Sequence, residues 1–188
     1  MTNILVTKRN GNKESLDVDK IHRVVTWACE GLHYVSPSEV EQAAHIKFYD
    51  GMKTSDLHES LVKAAHELIT RDNQYDLVSG RLAMFDIRKR AYNQFEPPTL
   101  KQIVESNIEK GWYHPEILDM FDDTQWEKLN SYIRHDRDFN IPVAGVAEWR
   151  SKYLVQNRIT KEFRETPQVS YMLISAILKK EDGLKEIR

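Results

Sequence analysis

A mainly α chain with a small β element at its front, an α+β class in which helices carry the core, is what this sequence predicts. Three observations predict it. Only seven Gly and six Pro interrupt 188 residues, so few positions forbid long helices. Apolar residues recur at helical spacing through most of the chain after Asp17. The exception is the opening, where Ile4 to Thr7 and Glu14 to Leu16 flank Asn10-Gly11; this reads as a hairpin closed by a type I′ turn.

The elements follow in order. Asp17 is placed to cap a first helix whose apolar residues Ile21, Val24, Val25, Ala28 and Leu32 share a face, with Gly31 near its end. Ser36-Pro37-Ser38-Glu39 reads as a capping box with Pro at the first helical position, launching a second helix through Val40, Ala43, Ala44 and Phe48 until Asp50-Gly51 stops it. A third helix starts at Thr54 or Ser55 and aligns Leu57, Leu61, Ala65 and Leu68. The fourth carries two apolar stripes, one through Val78, Leu82, Phe85 and Lys89, the other through Leu77, Met84, Ile87 and Ala91. An arc that wide predicts a helix inside a bundle.

Glu96-Pro97-Pro98 breaks the pattern, since consecutive prolines end a helix and disfavour it for the residue before them. The expected domains are therefore residues 1–95 and residues 96–188. Beyond the break, helices are predicted through Leu100, Ile103, Val104 and Ile108, from a capping box at Thr124 to Glu127, and from Thr166-Pro167 through Ile177. Tyr153 to Gln156 and Arg158 to Phe163 read as a second hairpin, and the charged tail from Lys179 as frayed.

Composition excludes several classes of function. Lys and Arg number 27 against 29 Asp and Glu, a net charge of -2, which argues against direct nucleic-acid or anionic-membrane binding. One cysteine, Cys29, cannot build a disulfide, a cysteine zinc site or a dithiol centre, so the chain reads as cytoplasmic. No apolar run is long enough to span a membrane. The seven histidines show no metal-ligand spacing, Arg134-His135-Asp136-Arg137-Asp138 reads as a salt-bridged helix end, and Cys29 as an inert buried thiol.

The segment Val6 to Val24 is the most informative. Lys8, Arg9 and Lys20 bracket the hairpin and the first turn of a helix, the setting a polyphosphate needs, although exposed cations are more often a solvated face. Thr54, at a helix start, is placed either to donate to a phosphate oxygen or to cap its own helix.

Taken together, VTKRNG, LDVDKIHRVVTWACEGL, FYDGMKTSDLHESLVKAAHELI, RLAMFDIRKRAYNQFEPP, HDRD, KYLVQNRIT and ETPQ resemble the amino-terminal region of the large subunit of class I (Ia) ribonucleotide reductase, over residues 3 to about 178. The resemblance implies that residues 1–95 are an ATP-cone, a small sheet over a four-helix bundle that binds ATP or dATP as an overall-activity switch, followed by an incomplete helical domain. It assigns phosphate contacts to Lys8 and Lys89, with Arg9 beside them, a hydroxyl to Thr54, and the nucleoside to Glu14, Ser15, Leu16, Asp17, Val18, Asp19 and Lys20. His58 falls close to the nucleotide, and Phe85 on the same stripe as Lys89. Mg is allowed beside the triphosphate, and dATP is expected to let the cone dock onto another subunit and lock an inactive ring.

Some positions depart from the family pattern. Asp17 stands where relatives commonly have Asn, Asp86 where a His is common, and Lys161 where a Gly usually turns the second hairpin; the loop before the fourth helix is one residue short. The family's catalytic barrel, with its radical and redox cysteines, has no counterpart in these residues. The resemblance therefore implies a regulatory piece of an oxidoreductase that is not catalytic alone, with no catalytic and no metal-ligand residues of its own. Its implied partners are a separately encoded catalytic part of the large subunit and the radical-generating small subunit. The competing readings are a truncated relic without function and a free-standing ATP-cone transcriptional regulator; the latter would carry a cysteine zinc ribbon, which a single cysteine does not allow.

Overall fold

The structure, a computed structural model, describes residues 4–8, 11–45, 47–157, 159–160 and 162–180. Arg9, Asn10, Arg158, Lys161 and the tail from Glu181 lie outside the described residues. The described chain is mainly helical with one small sheet, as its sequence predicts. It divides into two compact units, Met1–Asp86 with Phe139–Ala147, and Ile87–Asp138 with Glu148–Arg188.

In the first unit, β1 (Leu5–Thr7) pairs antiparallel with β2 (Lys13–Ser15), Val6 opposite Glu14. The expected Asn10-Gly11 turn falls partly outside the described residues. The Lys8 N–H donates to the Asn12 carbonyl at 2.8 Å and the Gly11 N–H to the Lys8 carbonyl at 2.9 Å. Gly11 has a positive φ, +85°, which favours glycine.

A third strand that sequence periodicity does not reveal, β3 (Met52–Lys53), runs parallel to β1 on its other side, Val6 beside Met52 and Thr7 beside Lys53. Asp50-Gly51 thus does more than stop a helix. Asp50 Oδ1 accepts from the Leu5 N–H at 2.8 Å, and the Gly51 N–H donates to the Leu5 carbonyl at 2.8 Å.

The first half of the chain adds four helices to this unit: α1 (Val18–Cys29), α2 (Pro37–His45), α3 (Thr54–Glu67) and α4 (Gln74–Tyr92), the last continuing into the second unit. Asp17 caps α1 as predicted, accepting from the Lys20 N–H at 3.0 Å. The α2 capping box takes a different form. The Ser36 N–H donates to the Tyr75 hydroxyl at 2.9 Å, and that hydroxyl donates to Glu39 Oε2 at 2.5 Å. A buried tyrosine from α4 thus stands between the two ends of the motif. The core gathers Val6, Val25, Ala28, Val40, Ala44, Leu61, Ala65, Val78 and Leu82. Fully burying an aliphatic side chain of this size stabilises by about 1.5–3 kcal/mol.

The second unit is built on α5 (Leu100–Glu109), the short α6 (Glu116–Asp119), α7 (Asp123–Tyr132) and α9 (Pro167–Leu178); α8 (Val143–Glu148) belongs almost wholly to the first. Leu100, Val104, Trp126, Leu129, Val169, Leu173 and Ala176 form its core. The α7 capping box is Asp122 with Gln125, two residues ahead of the expected Thr124 and Glu127, because Asp caps at least as well as Thr. Thr166 precedes α9 without a side-chain cap bond, its hydroxyl lying 3.2 Å from that of Tyr92. Among the described residues, the expected second hairpin shows an antiparallel bridge, Gln156 to Phe163, and a bond from the Asn157 N–H to the Glu162 carbonyl at 3.1 Å, with Tyr153 inside a π turn. Asn157 Oδ1 accepts from the N–H groups of Ile159 and Thr160 at 2.8 and 3.0 Å, a side-chain turn.

The run Arg134 to Asp138, expected as a salt-bridged helix end, lies beyond α7 largely on a 3-10 turn, with Arg134, Asp136 and Arg137 exposed and Asp138 buried. Asp138 and Arg88 are both buried, Arg88 Nη2 donates to the His135 carbonyl at 2.5 Å, and Asp138 Oδ1 accepts from the Gln168 N–H at 3.1 Å. Among the described residues, no helix is long and apolar enough to cross a membrane.

Candidate functional site

The sheet brings the first candidate residues together. Side chains alternate along a strand, so Lys8 shares a face with buried Val6 and with Glu14, Val6's partner on β2. Lys8 Nζ lies 2.5 Å from Glu14 Oε2. On the other side of β1, the parallel register that sets Thr7 beside Lys53 continues toward Lys8 and Thr54, the first residue of α3. Lys53 precedes that helix without a side-chain cap bond. One end of the sheet therefore combines an ammonium group with helix-start N–H groups that lack a side-chain acceptor, a local environment suited to an anion. Thr54 does not take the cap role, because it stands inside the helix at its first position.

The second part of the site is the passage from β2 into α1. Asp17 Oδ1 holds the Lys20 N–H, and Oδ2 lies 3.5 Å from Lys20 Nζ. The backbone bond from Lys20 lowers the carboxyl pKa, outweighing the opposite pull of desolvation. Asp17 is thus an acceptor engaged with its own helix. Ser15, Val18, Asp19 and Lys20 are exposed, while Glu14, Leu16 and Asp17 are half-buried.

Beside this passage opens a cavity of about 290 Å³. Leu16, Val18, Ile21 and Phe48 give it apolar walls, and Glu41, Gln42 and His45 of α2 supply polar atoms. His22 Nδ1 lies 2.8 Å from Glu41 Oε1. Sequence reading misses the α2 contribution, since Glu41, Gln42 and His45 look like the solvent side of an amphipathic helix. Phe48 was legible only as an apolar position.

His58 and Phe85 form a separate group. His58 Nε2 is 2.7 Å from the Leu82 carbonyl, and its ring stacks on Phe85 with centroids 5.5 Å apart and planes 21° apart. Trp27 completes the group 5.7 Å from Phe85. Lys89 lies on α4 one turn beyond Phe85 and is exposed; by sequence division it falls in the second unit. Arg9 lies outside the described residues. Cys29 is buried, and burial pushes its thiol pKa up to about 11, which disfavours the nucleophilic thiolate.

Comparison with known proteins bears on these features. Residues 4–90 match the model of the ATP cone domain. The chain is 49% identical over 177 residues to ribonucleoside-diphosphate reductase 1 subunit alpha of Escherichia coli, covering 94% of this chain and 23% of that protein. The Salmonella typhimurium protein of the same name is 48% identical over 176 residues, and the Haemophilus influenzae ribonucleoside-diphosphate reductase subunit alpha 45% over 176, each covering 93% of this chain and 23% of the relative. The chain thus spans about a quarter of the length of the relatives it matches.

Proposed function

The chain carries an ATP cone and belongs with the amino-terminal region of class Ia ribonucleoside-diphosphate reductase alpha subunits, and from that premise we propose that it serves as the overall-activity switch of such a reductase by binding ATP or dATP. The observation that carries the reading is the family match over residues 4–90, which includes β1, β2, α1 and the start of α3. The local chemistry is compatible with it. Lys8 and the start of α3 suit the phosphates. The Glu14–Lys20 passage takes the nucleoside, and the recess behind Leu16, Ile21 and Phe48 shelters the base. Lys89, one helical turn past Phe85, supplies a second ammonium group under this reading, with Arg9 beside the phosphates. The proposed cone spans residues 1–95 and the helical region residues 96–188.

Among the described residues, no cluster of three His, Cys, Asp or Glu offers a metal site. A Mg ion under this reading would arrive with the triphosphate. Partners under this reading are a reductase catalytic region and the small subunit, whose joint product is deoxyribonucleotides for DNA replication.

ATP and dATP differ by one ribose hydroxyl. They drive opposite responses only if each favours a different arrangement of the protein, a coupling on the usual scale of about 1–3 kcal/mol. Calorimetry on the full chain tests the binding step. Micromolar affinity, about -8 kcal/mol, is expected for both nucleotides. Lys8→Ala and Lys89→Ala should each weaken binding about 10- to 100-fold, since a hydrogen bond to a charged group is worth about 1.5–3 kcal/mol. Absence of both heat and thermal shift with either nucleotide would end the proposal.

A further inference from the structure

Residues Phe139–Ala147 come from the later half of the chain, yet they group with Met1–Asp86. Three contacts seat them there. The Phe139 ring meets Trp27 edge-on, with centroids 4.7 Å apart and planes at 83°. The Val143 N–H donates to Asp76 Oδ1 of α4 at 3.1 Å. Gly80, one turn along α4, meets the segment backbone to backbone: a Cβ at that position would stand 2.3 Å from the Ile141 carbonyl oxygen and 3.1 Å from Pro142 C and Val143 N. Any side chain at position 80 must push the segment away. Val146 is buried to 1% exposure.

The helices that hold this segment also carry the candidate nucleotide site. Trp27 lies on α1, whose first turn contains Val18, Asp19 and Lys20. A further ring neighbour of Trp27, Phe85 on α4, stacks on His58 of α3, the helix that begins at Thr54. An unbroken series of ring contacts therefore leads from α3 through α4 and α1 to Phe139. The residues flanking the segment, Asp138 and Glu148, both belong to the second unit. The segment is thus continuous in sequence with the second unit at both ends.

We propose that Phe139–Ala147 is a strap that reads nucleotide occupancy, seated differently on Trp27 and Gly80 when ATP or dATP is bound. The inference rests on the nucleotide reading above. Local release of one segment costs less than unfolding of the whole unit. A nucleotide that favours one seating by the usual allosteric coupling then shifts the population.

Hydrogen exchange on the full chain, with calorimetry on the same samples, tests this. Amides of the strap are expected to exchange at rates differing by a factor of about 5 or more between the ATP- and dATP-saturated protein, the low end of couplings of this kind. Phe139→Ala should bind both nucleotides yet lose that difference. Gly80→Ala should exchange rapidly at the strap with either nucleotide. If both nucleotides bind and the strap exchanges equally in the two states, the strap is passive and the proposal is wrong. If calorimetry shows no binding at all, the nucleotide reading fails first and the strap reading with it.

Discussion

Asp17 carries two demands at one residue. Its carboxylate caps α1 through the Lys20 N–H, and it stands in the passage proposed to hold the nucleoside. The lowered pKa of Asp17 fixes the sign of its pH dependence: the contribution is present above the unfolded carboxylate value and lost as pH falls through the lower folded one. Asn caps as well as Asp but adds a donor. Asp17→Asn is therefore expected to leave the thermal midpoint close to the parent's while changing the ratio of ATP to dATP affinities, whereas Asp17→Ala, which removes the cap, should lower the midpoint. An unchanged affinity ratio in Asp17→Asn would remove this residue from nucleotide reading. The site residues were legible as types, cations near a hairpin and a hydroxyl at a helix start. What brings the β1 end toward α3, a strand of two residues, is too short to show any period.

At the scale of elements, helix bodies were legible and helix ends were not. Apolar spacing located α1, α3, α4 and α9, because each buries one face in a core. Caps depend on partners that local sequence does not name. Ser36 and Glu39 have the spacing of a capping box, yet Tyr75, 39 residues from Ser36, stands between them. Arg71 adds a bond to the same glutamate at 2.8 Å. Burial, reinforced by Glu39, raises the Tyr75 pKa, so the hydroxyl stays protonated and can donate. Tyr75→Phe keeps the ring in the core and removes the atom that both partners share. The expected loss is about 0.5–1.5 kcal/mol, the net worth of an ordinary hydrogen bond between partly exposed partners, read as a lower urea midpoint with an unchanged slope. A midpoint equal to the parent's would show that water replaces the hydroxyl without loss.

For the whole molecule, stability against pH should reflect a buried carboxyl and a half-buried imidazole that titrate in opposite senses. Burial raises the Asp138 carboxyl to about 7, with Arg88 opposing. Burial, aided by the Arg88 charge, lowers His135 to about 4. Asp138 binds its proton more tightly in the folded chain, so its contribution is full below the unfolded value of 3.8 and is lost as pH rises toward about 7. His135 does the reverse: its contribution is full above 6.5 and is lost as pH falls toward about 4. Between about 4 and 6.5 the two slopes, each up to about 1.4 kcal/mol per pH unit, oppose one another. No sequence pattern announced this pair, because an Arg-His-Asp-Arg-Asp run looks solvated until Asp138 is seen buried. Urea unfolding of the parent, Asp138→Asn and His135→Gln at about pH 4.5, 5.5 and 6.5 separates the two contributions. Relative to the parent, Asp138→Asn should gain stability as pH rises through this range, because the opposing aspartate slope is gone. His135→Gln should lose stability over the same range, because the histidine slope that offsets Asp138 is gone. Parallel curves for all three proteins would mean that neither group titrates differently in the folded and unfolded chains, and the buried cluster would then be electrostatically silent.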